Sequence, residues 1–254
     1  MIFYYSATGN TRFCADSLAE SLHEELLDIL SLSQADLSLK EVRSVGFIFP
    51  IYCWGIPPVM KKFMEEVFPK IPEDCYVWTV CTCGDEAGTA MRQVDKLLIR
   101  MRGRGVDATY SVIMPNTYVL LPGFDVDKPE IEKEKLRLAP LRISEIANSL
   151  KTRTRGVYEV KEGSVPALRS AIYPLFIKWG VNPKKWYASD ACVGCGKCEK
   201  ICPARNISMV ESRPRWASRC FSCCGCFHVC PVHAVNYGSI TRHKSQYLFP
   251  NLKL

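Results

Sequence analysis

Long apolar runs are missing from this 254-residue chain. No window reaches the roughly 18 uncharged apolar residues that a membrane-spanning helix requires. The nearest stretch, residues 165–181, is broken by Arg169 and Lys178. No basic segment with a cleavage site precedes the strand-like residues that begin at Met1, so no export signal is expected and the expected location is the cytoplasm. Low-complexity tracts are absent too. With 48% hydrophobic and 23% charged residues, disorder, collagen and coiled coil are excluded. The formal charge is +7, yet no basic stripe carries interleaved aromatics, so nucleic-acid binding is not expected.

Cysteine is the residue in excess. There are fourteen, and nine fall between Cys192 and Cys230. Without an export signal, clustered thiols at ligand spacing favour metal over disulfides. The first run is Cys192, Cys195, Cys198, Cys202, Pro203. The second is Cys220, Cys223, Cys226, Cys230, Pro231. Both have the C-x2-C-x2-C-x3-C-P spacing of bacterial iron–sulfur proteins. Three close thiolates converge on one four-iron cube, and the fourth lies too far along the chain to close it. Cys192, Cys195, Cys198 and Cys230 are therefore assigned to one cluster, and Cys220, Cys223, Cys226 and Cys202 to the other. Zinc sites normally use two separated cysteine pairs instead. Cys224 falls out of register and reads as a free thiol. His228 and His233 read as supporting or surface residues, because the thiolate set is already complete.

The first 150 residues alternate strand-like and helix-like segments. Strands are expected at residues 2–6, 26–30, 45–50, 76–82 and 106–114. Helices are expected at 11–27, 57–67, 86–102 and 130–150. That alternation predicts an α/β fold, a five-stranded parallel sheet doubly wound with helices on both faces. Residues 151–187 read as a connector with an amphipathic helix. Residues 188–254 read as a small α+β domain with a C-terminal tail, held together by metal ligation.

Such sheets bind ligands at the carboxyl ends of their strands. Three loops fall there. Ser6, Ala7, Thr8, Gly9, Asn10 and Thr11 join the first strand to a helix and offer hydroxyls and amides to a phosphate. The loop has no lysine of the triphosphatase kind and no G-x-G-x-x-G pattern; an ordinary strand-to-helix cap is the plain alternative. Pro50, Ile51, Tyr52, Cys53, Trp54 and Gly55, continuing to Pro57, supply two aromatics for ring stacking, with the choice between Tyr52 and Trp54 open. Thr82, Cys83, Gly84 and Asp85 form the third loop.

Residues 1–150 thus resemble a flavodoxin, and residues 188–238 resemble a two-cluster bacterial ferredoxin. Together the chain resembles the flavodoxin–ferredoxin fusion proteins of anaerobic bacteria and archaea. That resemblance implies FMN in the three loops, two 4Fe–4S clusters, low-potential electron transfer and a redox protein partner, either donor or acceptor. Two clusters and a flavin phosphate would bring the charge to about +1. The chain departs from many flavodoxins in its scarcity of acidic residues in these loops and in Cys83, where an aromatic is common. The alternative function is a flavin-dependent reductase of a small molecule fed by its own clusters. Such an enzyme needs an open pocket over the ring, for which Tyr118, Arg104 and residues 125–129 are candidates. Cys83 or Asp85 is the candidate proton donor.

Overall fold

A computed structural model describes residues 1–32, 37–180 and 182–250. The N-terminal part runs β1 (Ile2–Tyr4), α1 (Asn10–Leu22), β2 (Leu26–Asp28), β3 (Ser44–Pro50), α2 (Pro58–Val67), β4 (Tyr76–Cys83), α3 (Ala90–Arg102), β5 (Ala108–Ile113), α4 (Pro129–Lys151) and β6 (Val157–Glu159). The strands form one sheet in the order β2-β1-β3-β4-β5-β6. Every neighbouring pair is parallel. The sheet has six strands, not the expected five. The sixth, β6, comes from the stretch read as a connector. It is three residues long and mostly exposed, so it carries no apolar run to betray it.

Strand pleating sorts side chains onto two faces. Phe3, Tyr5, Phe47, Phe49, Val77 and Cys81 face one core with Met60, Phe63 and Met64 of α2 and Met91, Val94 and Leu98 of α3. Ile2, Tyr4, Ile48, Trp78, Val80, Tyr110 and Val112 face the other, with Leu18 of α1 and Ile143 and Ile146 of α4. Gly46 of β3 lies against Trp78: a Cβ there would stand 2.2 Å from the indole ring. Trp78 is itself fixed by donating from Nε1 to Ser44 Oγ at 3.1 Å. Gly46→Ala is therefore expected to destabilise the sheet by about 2 kcal/mol through overpacking. Urea unfolding would read this as a lower midpoint at constant slope.

The chain leaves β1 toward β2 and then returns to the opposite side of β1 as β3. This reversal places a crevice outside the carboxyl ends of β1 and β3. The 6–11 and 50–57 loops open into it.

The C-terminal part adds α5 (Pro166–Ser170), α6 (Tyr173–Trp179), β7 (Trp186–Ala188), α7 (Lys197–Ile201), β8 (Ile207–Val210), β9 (Arg213–Trp216), α8 (Gly225–His228) and β10 (Val235–Tyr237). Two small antiparallel pairs form, β7 with β10 and β8 with β9. Of the segments expected here, Val181 and residues 251–254 lie outside the described residues. The third core contains Trp186, Phe227, Val229 and Val235 together with Cys198, Cys224, Cys226 and Cys230. Val119 and Leu120, which follow β5, belong to this same core. The two parts therefore share packing across their junction.

Candidate functional site

Glycine shapes the 6–11 loop. Gly9 adopts φ 99°, a left-handed conformation that costs glycine little, and turns the chain into α1. No side chain caps this helix, which leaves its first amides for an anion. The Ser6 hydroxyl is buried and has no partner. Asn10 and Thr11 are already engaged. Asn10 Nδ2 donates to Pro115 O at 2.9 Å, and Tyr247 donates to Asn10 Oδ1 at 2.7 Å. The hydroxyls of Thr11 and Thr82 lie 2.7 Å apart. Ser6, Thr8 and the main chain are thus the ready donors.

The second loop closes on itself. Tyr52 and Gly55 exchange two main-chain bonds of 3.0 Å, with Cys53 and Trp54 between them at φ 47° and 57°. Two non-glycine residues in the left-handed region store strain at the mouth of the crevice. Tyr52 and Tyr5 hydroxyls meet at 2.8 Å. Trp54 Nε1 donates to Glu86 Oε1 at 2.9 Å, Glu86 pairs with Arg169, and that guanidinium lies 5.8 Å from the Trp54 ring centroid. Burial pushes the Cys53 thiol up to about 11.

In the third loop, a Cβ on Gly84 would fall 1.6 Å from Asn116 Oδ1. Asn116 Nδ2 donates to Asp85 at 3.1 Å and Asp127 at 2.8 Å, and Lys135 bridges the same two carboxylates. Burial works against ionisation of Asp85, but Asn116 and Lys135 prevail and hold its carboxyl below the usual range. Asp85 is therefore ionised near neutral pH and is a poor proton donor.

These loops enclose a cavity of about 110 Å³ lined by Ala7, Thr8, Asn10, Thr11, Pro50, Ile51, Tyr52, Cys53, Thr82, Cys83 and Gly84. An adjoining cavity of about 530 Å³ shares Ile51, Cys53, Cys83 and Gly84 and adds Trp54 and Asp85. Of the sixteen loop candidates, Ser6, Gly9 and Gly55 line neither. Sequence reasoning missed Met114, Pro115, Asn116 and Thr117 after β5, Phe176 of α6, and the part played by Ser222 and Cys223. Only Pro115, which closes a strand at its carboxyl end, offered a signal. Tyr118 and Asp125 do line the adjoining cavity. Arg104 does not. It donates to the carbonyls of Glu73 and Cys75 and to Asp107, at the amino ends of β4 and β5, on the opposite edge of the sheet.

The cysteines gather in two places. Cys192, Cys195, Cys198 and Cys230 line one small cavity with Met209, Val232 and Val235. Burial pushes Cys198 up to about 11, and Cys230 and Cys192 add to it. Ala234 N donates to Cys230 Sγ at 3.2 Å. The second group surrounds Cys223, whose thiol is raised by burial and further by Cys224, Cys220 and Cys202. Cys226 is raised by burial and then by Cys223. Main-chain donors reach this group as well, Asn206 N to Cys202 Sγ at 3.3 Å and Ser222 N to Cys220 Sγ at 3.4 Å. Amides aimed at sulfur are what a cluster-bound thiolate needs. All fourteen cysteines are free of disulfides. Among the described residues, no three His, Cys, Asp or Glu side chains are close enough to hold a single ion.

Residues 1–102 match the model of a flavodoxin domain, and residues 187–208 that of a 4Fe-4S binding domain. The chain joins a flavodoxin domain to a 4Fe–4S domain. A flavodoxin domain implies FMN, and the unpartnered Ser6 hydroxyl, the uncapped helix and the loops around the cavity fit it. No curated protein matches the sequence. Solved structures are similar to part of the chain at low identity. Rubredoxin oxygen:oxidoreductase from Desulfovibrio gigas is 18% identical with a TM-score of 0.41, covering 60% of this chain and 36% of that one. The present chain therefore spans about a third of that oxidoreductase. Fusobacterium nucleatum flavodoxin bound to flavin mononucleotide is 13% identical with a TM-score of 0.41, covering 61% and 97%. Megasphaera elsdenii flavodoxin is 16% identical with a TM-score of 0.39, covering 58% and 97%.

The N-terminal and C-terminal parts of the chain are tied together at the site. His228 of α8 bonds through Nε2 to Thr117 O at 2.7 Å and accepts at Nδ1 from Tyr247 N at 3.1 Å. Burial holds this imidazole down at about 4, so it is neutral. Lys244 Nζ donates to the carbonyls of Val119, Leu121 and Phe124, each at 2.6 Å. Phe249 stacks on Phe13 at 4.7 Å and donates its amide to Thr8 O at 3.0 Å. Among the described residues no helix is long and apolar enough to cross a membrane.

Replacing Ser6 with alanine removes a buried hydroxyl of the phosphate loop that has no partner. A hydrogen bond to a charged group is worth about 2 kcal/mol, so FMN affinity is expected to fall about 30-fold. Flavin fluorescence titration of the apoprotein measures it.

Proposed function

We propose that this chain relays low-potential electrons between an external redox protein, two 4Fe–4S clusters and FMN, converting one-electron and two-electron traffic. Bound clusters supply single-electron transfer, and bound FMN supplies a site for one electron or two. Ser222 and Cys223 carry the proposal, because they line the same cavity as Thr8, Tyr52 and Cys83. The set containing Cys223 is thus the flavin-side set. Tyr5 bridges the junction, edge-on to Phe221 at 6.4 Å, and Gly225 sits 3.6 Å (measured from an ideal Cβ) from Ala7 O. Cys192, Cys195, Cys198 and Cys230 hold the outer cluster. Their cavity shares no residue with the flavin cavity. Cys195 is exposed and Val193 is 65% exposed, which gives a partner protein its approach.

Iron, acid-labile sulfide and released flavin per chain, measured on anaerobically purified protein, test this reading. About eight irons and one FMN are expected. Four irons would remove one cluster and with it the relay.

The adjoining cavity of about 530 Å³ favours a second reading, a reductase of a small molecule. Flavin reoxidation by a small acceptor, without any protein partner, would support it.

A further inference from the structure

Among the described residues, six buried side-chain nitrogen or oxygen atoms lack a hydrogen-bond partner. Three lie in the 4Fe–4S part: Trp186 Nε1, Asn206 Nδ2 and Trp216 Nε1. All three are donors. An unmet buried N–H is costly, so three gathered in one place mark a missing acceptor.

They gather at the flavin-side cysteines. Trp186 and Trp216 pack in one core with Cys220 and Cys226, and the indole of Trp186 works to lower the Cys220 thiol as that of Trp216 does the Cys226 thiol. Neither indole N–H has a full hydrogen-bond partner. The two indoles stack at 6.3 Å and 15°, so their ring planes, and with them the planes of both N–H groups, are nearly parallel. Asn206 stands at the Cys202 side, with its main-chain N–H on that sulfur at 3.3 Å. Its Oδ1 accepts from Arg219 N at 2.6 Å, so the side-chain nitrogen is the unmet end. Arg205, Arg219 and Lys62 line a groove with Pro203 and Phe221, the chain neighbours of Cys202 and Cys220, and among the described residues no carboxylate lines it. The outer set differs. Among the described residues, the donors to its sulfurs are main-chain amides, at Cys230 and at Cys198, and no side chain joins them.

We propose that Trp186, Asn206 and Trp216 donate to the sulfurs of the flavin-side cluster and raise its reduction potential above that of the outer cluster. Electrons then run inward, from the exposed Cys195 face to the flavin. This deepens the relay reading and rests on it. Donors to sulfur stabilise the reduced, more negative cluster. Burial of the same set acts the other way, because it penalises added negative charge. Each donor to a charged sulfur is worth about tenfold, and three donors with nearby cations outweigh it. The electron count balances. One electron leaves an external one-electron carrier for the outer cluster and then passes to the flavin-side cluster; each donor is oxidised by one electron as its acceptor is reduced by one, and no bond forms or breaks.

Potentiometric titration of the holoprotein tests this, in the wild type and in Trp186→Phe. Phenylalanine keeps an aromatic against Trp216 and removes the N–H. The wild type should give two separate one-electron cluster waves. In the variant the more positive wave should move negative by about tenfold in occupancy, about 59 mV, while the other stays. Coincident wild-type waves overturn the proposal, as does a variant in which neither wave moves or the more negative one does. Trp216→Phe carries the same expectation and replaces Trp186→Phe if that protein takes up less iron. Iron is counted before each titration. Four irons in the wild type would sink the relay reading itself, whereas full iron with unmoved waves would sink only the donor arrangement.

Discussion

Replacing Cys223 with alanine is expected to slow electron delivery from an external one-electron donor to the flavin by at least about 100-fold. FMN should stay bound. Cys223 is the member of its set that lines the flavin cavity, and no phosphate-loop donor is changed. Losing it removes one of four ligands from the cluster nearest the flavin and opens a gap in the path. The outer set uses other cysteines in another cavity and should keep its iron. Stopped-flow reduction of the flavin, together with iron and FMN content, measures this. Wild-type delivery in a variant that has lost half its iron would place the electron path elsewhere.

Stripping the iron is the second large perturbation. Hydrogen exchange across β7 to β10 is expected to accelerate by at least about a thousandfold while the six-stranded sheet keeps its protection. The reason is the composition of the third core, in which four buried cysteines take the place of apolar side chains. FMN affinity should also fall, by about tenfold, although no flavin-binding side chain has changed. The link is physical. Val119 and Leu120 pack in the metal-dependent core, and His228 and Lys244 hold the carbonyls of Thr117, Val119, Leu121 and Phe124. That segment carries Tyr118, which lines both cavities. Flavin titration of iron-free protein would show the coupling, and an unchanged affinity would refute it.

Much of this was legible in the sequence, for reasons that are local. The C-x2-C-x2-C-x3-C-P runs have a fixed spacing because one cube must be reached by a short chain. The 6–11 loop follows a strand and precedes a helix, and its small hydroxylic residues need no partner elsewhere to be noticed. Cys230 lines a cavity with Cys192, Cys195 and Cys198, and Cys202 adds to the raised thiols of Cys220 and Cys223. What escaped notice depends on contacts between distant residues. The three-residue β6 has no pattern of its own and forms only because β5 offers an edge. Asn116 has no visible role until Gly84, Asp85 and Asp127 surround it. Tyr247 reaches Asn10 across most of the chain, so the tail's hold on the phosphate loop has no sequence signature. Arg104 looked available and instead caps the far edge of the sheet.

The central claim is transfer within one molecule. Its most direct test is the rate of flavin reduction after the clusters are rapidly reduced by a one-electron donor, followed over a wide range of protein concentration. Cys223 in the wall of the flavin cavity predicts a first-order rate that does not depend on concentration. A rate that rises in proportion to protein concentration would mean that electrons pass between molecules, and would contradict the relay.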